Sequence, residues 1–509
     1  MESATLTRPG PVHVWLVRLR GAPASAWARV GLIVLCAGAL AGYLLFPTYP
    51  TYDSYYALLW GRDLLHLHLP QFQVYRGPTE HPLAIAFGVL MSLFGHAGDR
   101  VMILGAVVSF VALAAGLYRL GRITFGPLVG AVAVALLCTR FDYEFLAAQG
   151  YLDFAYMALV VWAASLEAER TAGRLSRRRE LGVFALLALA GLLRPEAWLL
   201  SAIYWVWCAR HADWPTRARE ALLSAAGPVL WATVDLVVTG HATYSLHSTR
   251  GLAEELGRTQ GLANIPVATW QFLVRLDKLP LVAGALAGVI LAVVLVPRRS
   301  RVPLAMLVIG LGTFFLLGAV GTSVIDRYLL APAVIVMLFG AVALAGWSLL
   351  TPRSRLRRVW MAAAGALVLL GVVQAQGSLN LTNLQSSLSF RDDSHRALAQ
   401  VLDDRRVRLN LRRCGPLSLP NHKLLPDARW ILDAAPRQVV ARSQVRGQVA
   451  HNNHSLERLI RRGVAIYPIG DAVFRHAIVD VSDDPRDQVP LPGFSYLFSS
   501  QYYAVYVRC

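Results

Sequence analysis

Apolar runs approaching 20 residues recur along this chain, separated by loops rich in arginine. A run of that length crosses the hydrocarbon core of a bilayer as a helix, which satisfies its backbone polar groups within the segment itself. Over 509 residues, 56% are hydrophobic and only 16% charged, and the mean hydropathy is +0.47. These values exclude an ordinary water-soluble globule. The formal net charge of +18 would elsewhere suggest nucleic acid. Here the basic residues sit between apolar runs, where they act as orientation signals, and no nucleic-acid partner is expected. Nearly all of them are arginine, with Lys278 and Lys423 the only lysines.

The arginines set the topology. Spans are predicted at 28–46, 100–118, 127–140, 153–168, 181–193, 197–209, 220–239, 280–297, 302–320, 328–350 and 359–375, about eleven in all. Segment 1–27, with Arg8, Arg18 and Arg20, is expected to be cytoplasmic, ahead of a membrane domain over 28–375. The five inner loops that follow hold 17 arginines, while the longer outer loops are sparse in basic residues. Counting the short apolar run 82–94 as a span would invert every later loop and put the arginine clusters outside. It is therefore expected to be a half-buried helix that returns to its own side, within a long first outer loop, 47–99. In that loop, 53–66 has aromatic and leucine residues on one side and is expected to lie flat at the interface. This alternation puts Asp53, Asp153, Glu196, Arg327 and the C-terminal part on one face.

Residues 376–509 are polar, with strand-like runs at Gln438–Ala441, Gly463–Ile469, Ala472–Val479 and Tyr502–Val507 and helix-like segments near 392–404 and 455–462. The fold class expected is a polytopic all-α membrane protein with a C-terminal extracytoplasmic α/β domain. Cys414 and Cys509, the two cysteines of that domain, suggest a disulfide and an oxidising compartment. Cys36, Cys138 and Cys208 lie in apolar runs as small hydrophobes.

Several polar residues at the ends of apolar runs have both a bland and a chemical reading. Asp53 is a helix N-cap, or a general base or metal ligand at the interface. Glu80 and His81, before Pro82, suit a helix start or touch a phosphate or sugar. Asp153 is a cap or a functional acid at the membrane edge. Arg194 and Glu196 flank Pro195 and pair with each other or reach a ligand. In Asp326-Arg327-Tyr328, the arginine pairs with Asp326 or holds a lipid phosphate. His247 and Arg250, in the outer loop 240–279, are weaker candidates.

The segments TYDSYYALLWGRDLL, TEHPLAIAFGVLMSLFG, GYLDFAYMALVVWAA, GLLRPEAWLL and DRYLLAP occur in an order that resembles the GT-C superfamily of integral-membrane glycosyltransferases. That superfamily includes protein O-mannosyltransferases, lipid A aminoarabinose transferases and actinobacterial arabinosyl- and mannosyltransferases. The resemblance covers roughly residues 28–350. It implies a polyprenyl-phosphate-linked sugar donor, an extracytoplasmic glycan, lipid or protein hydroxyl as acceptor, and a multi-pass protein embedded among plasma-membrane lipids. Asp53 matches the first-loop acid that serves as catalytic base. Asp153 matches the second-loop acid that assists, in some families through a divalent metal ion. Arg327 is the choice for the donor phosphate. TEHPL is similar to the His-Pro-Pro segment of mannosyltransferases, with Leu83 in place of the second proline, and Ser54 stands where an Asp-Glu pair would end. The second departure counts against mannosyl transfer to protein. Two other classes remain open: a lipid-carrier transporter, against which stands the lack of internal repeats, and an inactive scaffold that binds cell-wall polymer.

Overall fold

A computed structural model describes residues 24–173, 180–258, 261–378, 381–450, 453–476, 478–479 and 483–509. The arginines of segment 1–23, and Arg174, Arg177, Arg178 and Arg179, lie outside the described residues. Every apolar run of the sequence is helical. Ala24–Leu45 forms a unit of its own: a helix of 22 residues with no buried side chain, on which Val30, Ile33, Val34 and Leu44 are all half exposed or more.

The second unit is Phe46–Cys509. Across both units, five described helices are long and apolar enough to cross a membrane: Ala24–Leu45, Gly95–Phe125, Trp214–Thr239, Pro297–Ala319 and Asp326–Leu349. Two bent pairs would bring the number to seven if each were one span. Phe141–Ala148 meets Asp153–Thr171 at 120°, and Leu262–Asp277 meets Leu279–Leu295 at 105°. The expectation of about eleven also counted short helices. Pro127–Cys138 and Glu180–Gly191 have 12 residues each, a rise of about 18 Å against a hydrocarbon core of about 30 Å. Leu286, Ile290 and Val294, one turn apart on Leu279–Leu295, are all exposed. Such an apolar stripe suits lipid and would be a liability in water.

Asp326–Leu349 is the centre of the bundle. Its residues Pro332–Val342 are buried on every side, against Leu279–Leu295 and Pro127–Cys138.

The helix that carries Asp53, Tyr52–Leu65, does not lie flat on a surface. Its residues Ser54–Gly61 are all buried, covered by Pro82–Ser92 on one side and Leu425–Leu432 on another. Glycine explains the difference. A methyl group at Gly61 would strike the backbone at Gly88, and one at Gly88 would strike the Ala57 carbonyl. The two main chains touch, so the side expected to meet lipid meets protein. Pro82–Ser92, with proline at its first position, has 11 residues and rises only about 16 Å.

Beyond the helices Arg355–Ser378 and Leu381–Asp403 comes a five-stranded sheet: β1 Leu417–Leu419, β2 Val439–Ala441, β3 Gly463–Pro468, β4 Ser495–Ser499 and β5 Tyr503–Arg508. The order is β2-β1-β3-β5-β4, parallel among the first three and antiparallel after β3. Leu398, Leu402, Leu417, Leu419, Ile466 and Val505 build its core. The run expected as a strand at Ala472–Val479 instead begins inside a short helix, Asp471–Arg475, because Gly470 at φ +88° turns the chain out of β3. Cys414, ending the helix Arg405–Cys414, and Cys509, following β5, are joined by a disulfide.

Candidate active site

The start of the Tyr52–Leu65 helix is stitched to residues 149–150, just before Asp153. The Thr51 amide donates to the Gln149 carbonyl at 2.8 Å, and the Ser54 hydroxyl donates to the Gly150 carbonyl at 2.7 Å. Gly150 has φ +70°, the left-handed conformation that glycine adopts without steric cost. The helix cap is Thr51, whose hydroxyl accepts from the Ser54 amide at 3.3 Å. Asp53 is therefore not the cap, and its carboxylate is free for other work. Likewise Asp153 is the first residue of its helix, and its carboxylate turns to arginines.

Arg327 joins the two acids. Its Nη1 donates to Asp53 Oδ2 at 2.9 Å and its Nη2 to Asp153 Oδ2 at 3.1 Å, while its guanidinium lies 4.7 Å from the centre of the Tyr151 ring. Arg194 donates to the other oxygen of Asp153. Neither arginine takes the neighbouring acid that its local sequence offers: Arg194 pairs with Asp153 rather than Glu196, and Asp326 pairs with Arg275 at 3.3 Å. Two carboxylates and two guanidiniums thus alternate, with no net charge. The Asp153 side chain is 3% exposed, whereas those of Asp53 and Arg327 are 27% and 26% exposed and face an opening.

That opening is a cleft lined by Asp53, His81, Arg194 and Arg327, with Thr51, Ser54, Tyr151, Leu152 and Leu193. Burial alone would raise the Asp53 carboxyl, but the charge and hydrogen bond of Arg327, helped by Arg194, hold it below the usual carboxylate range. Burial, then the charge of Arg194, push His81 down to about 3. Its ring is neutral near pH 7 and offers a hydrogen bond rather than a charge. The Leu83 amide donates to the Leu192 carbonyl at 3.2 Å, and Trp231 packs edge-on to the imidazole.

A second, small cavity lies between the helices and is mainly apolar, with Val160, Leu200, Met306, Pro332 and Ile335. Glu196 and Tyr328 line it, and Arg194 lies 5.8 Å from the Tyr328 ring centre. Glu80 lines neither cavity; it is buried beside Ser245 and Asp235. His247 and Arg250 also line neither. His247 contacts the Thr243 carbonyl and Arg250 pairs with Glu254, both on or beside their own helix. Tyr151 and Thr51 were not singled out in the sequence, and Ser54 only as a departure from an acid pair. For Tyr151 the signal was present, two residues before Asp153 and in the same motif.

In this structure the guanidinium of Arg327 bridges Asp53 and Asp153 with Arg194 behind it, so a divalent ion between the acids would first have to displace an arginine. Among the described residues no group of three or more His, Cys, Asp or Glu could hold a metal.

No family model matches the sequence, and neither does any curated protein. Solved structures do match. ArnT from Cupriavidus metallidurans, in the apo state, aligns over 95% of this chain and 98% of its own, with a TM-score of 0.53 at 15% identity. The oligosaccharyltransferase of Archaeoglobus fulgidus, solved with a tethered acceptor peptide, aligns over 94% of this chain and 74% of its own, with a TM-score of 0.51 at 13% identity. The same organism's AglB, in complex with an inhibitory peptide and a dolichol-phosphate, gives a TM-score of 0.50 at 12% identity over the same shares of the two chains. The chain has the fold of these solved structures, as the order of motifs led one to expect.

Proposed function

We propose that this protein is a membrane glycosyltransferase that moves a sugar from a polyprenyl-phosphate donor to an acceptor hydroxyl outside the cytoplasm, with inversion. The observation that carries this reading is the junction of Asp53, Asp153, Arg194 and Arg327 around one cavity, in a chain with the fold of lipid-dependent glycosyltransferases. The N-terminus would be cytoplasmic and the sheet-bearing part extracytoplasmic, as the arginine-rich loops suggest.

The chemistry follows from the pairing. An anionic phosphate entering the cavity competes with Asp53 for Arg327, since a guanidinium binds phosphate as well as carboxylate. Arg327 then turns toward the donor, and Arg194 stays paired with Asp153 behind it. Released from its partner, Asp53 becomes a stronger base and takes the proton of the acceptor hydroxyl. The hydroxyl oxygen bonds to the anomeric carbon as the bond to the phosphate oxygen breaks, and Arg327 stabilises the charge growing on the departing phosphate. Asp153 holds both arginines in register. The apolar second cavity, with Tyr328 and Glu196 at its polar end, suits the isoprenoid chain beside the phosphate.

The test is transfer from labelled polyprenyl-phosphate sugars by purified wild type and Asp53→Asn. Loss of transfer in a folded Asp53→Asn protein is expected; near-normal transfer would end the proposal.

A further inference from the structure

The Tyr52–Leu65 helix is held from outside the membrane bundle, and the holding residues have no part in the chemistry above. At its far end, Arg62 pairs with Asp433 at 2.8 Å and its guanidinium lies 5.2 Å from the Trp430 ring centre. At its near end, two residues after Asp53, Tyr55 is wholly buried, and its ring stacks on His395 with centroids 5.9 Å apart. The Tyr55 hydroxyl lies 3.4 Å from each nitrogen of His395 and 3.5 Å from Asp99 Oδ2. His395 Nδ1 lies 3.1 Å from Asp427 Oδ1.

These groups come from four separate elements. Tyr55 belongs to the Tyr52–Leu65 helix and Asp99 to the first turn of Gly98–Phe125. His395 lies on Leu381–Asp403 and Asp427 on Leu425–Leu432. Burial disfavours a charged imidazole, but the hydrogen bond and charge of Asp427, with Asp99 and Asp392, outweigh it and hold His395 above its ordinary 6.5. Of the neighbouring cations, Arg100 also faces Asp99, its amide donating to Asp99 Oδ1 at 2.6 Å while its guanidinium donates to the Thr48 carbonyl, and Arg391 lies over the Tyr49 ring.

We propose that His395 is a positioning residue for Asp53: as a cation between Asp427 and Asp99 it fixes Tyr55, and with it the register of the helix that presents the base. The proposal rests on the glycosyl-transfer reading for its catalytic consequence, though not for the clamp itself. The sign follows from linkage. A histidine whose value is raised on folding stabilises the fold fully below about pH 6.5, and that stabilisation is lost as pH rises through the raised value. Above it, a neutral ring leaves Asp427 without the cation it pairs with, while Asp99 keeps only Arg100.

The test is hydrogen exchange of the backbone amides of residues 54–65 in the full-length protein in nanodiscs, at pH 6 and pH 9, corrected for the intrinsic pH dependence of exchange. In the wild type, exchange should rise roughly tenfold between the two, the scale of losing one charge-assisted hydrogen bond. His395→Gln should exchange fast at both values, and His395→Arg, which keeps the charge, should stay slow at both. Turnover of His395→Gln at pH 6 should fall roughly tenfold in kcat with donor KM unchanged. If His395→Gln does not fold, Asp427→Asn removes the same contact and should show the same fast exchange. Wild-type protection of residues 54–65 in a folded His395→Gln or Asp427→Asn protein would overturn the clamp. Altered exchange with unaltered turnover would overturn the positioning role and leave glycosyl transfer standing. Absence of transfer in the wild type would overturn the reading it rests on, while the exchange data would still decide the clamp.

Discussion

Two buried arginines, one in the bundle and one in the sheet, are satisfied in opposite ways. Arg442, 1% exposed, donates to the carbonyls of Asp487, Ser418 and Ile466 at 2.9, 3.1 and 2.9 Å, and lies 3.9 Å from the Tyr467 ring centre. Burial pushes it down to about 10, so it stays charged near pH 7. Arg327 instead meets two carboxylates at the wall of a cavity, and its buried Nε has no partner. Carbonyls are fixed dipoles of the main chain and cannot leave. Carboxylates can be displaced, protonated or replaced by a competing anion. A saturated arginine therefore ties structure together, and one held by exchangeable partners beside empty space is a place for a ligand.

The comparison can be broken most directly at its functional side. Asp53→Asn should lower transfer by roughly 10²–10⁴-fold, the usual contribution of a positioned base, with an unfolding midpoint close to wild type; transfer kinetics and a thermal scan on the same preparation decide it. Arg327→Gln should cost roughly 10²–10³-fold in kcat, as expected for loss of one donor to developing charge. On the structural side the signature reverses. Arg442→Met should destabilise the protein by roughly 1–3 kcal/mol by leaving buried carbonyls unpaired, yet leave kcat of the folded fraction unchanged. An Arg442→Met protein that is stable but inactive would erase the distinction between the two arginines.

Two smaller effects sharpen it. Burial raises the carboxyl of Glu80 from 4.5 to about 8. The folded state then binds that proton more tightly than the unfolded chain does, so stability is full below pH 4.5 and drains as pH climbs toward 8. Glu80→Gln removes that slope, and unfolding followed across pH 5 to 8 should show the variant gaining on wild type. The smallest expected effect is none at all: EDTA should leave the transfer rate unchanged, since Arg194 and Arg327 already supply the positive charge beside the acids.

Much of this was legible in the sequence. Arginine-rich loops between apolar runs located the helices, and acids at the ends of those runs picked out Asp53 and Asp153, with Arg327 at the end of another. Partner choice was not legible. Arg194 prefers Asp153, 41 residues away in sequence, to Glu196 two residues on, because a helix break aims adjacent side chains in different directions. The burial of the Tyr52–Leu65 helix depends on Gly88, which no periodicity within 53–66 reports. β1 is three residues long, and β4 is half exposed with no clean alternation; neither gives a pattern to detect.

The contact between Gly61 and Gly88 has a consequence for the depth of the proposed base. Two hydrogen atoms, where other residues carry methyls, set how closely the first outer helix settles on the half-length helix behind it. Alanine at either position would act as a shim, lifting the whole rod and moving Asp53 relative to an arginine anchored in the bundle. The reach between acid and guanidinium is thus gauged two turns away, by residues that never meet a substrate.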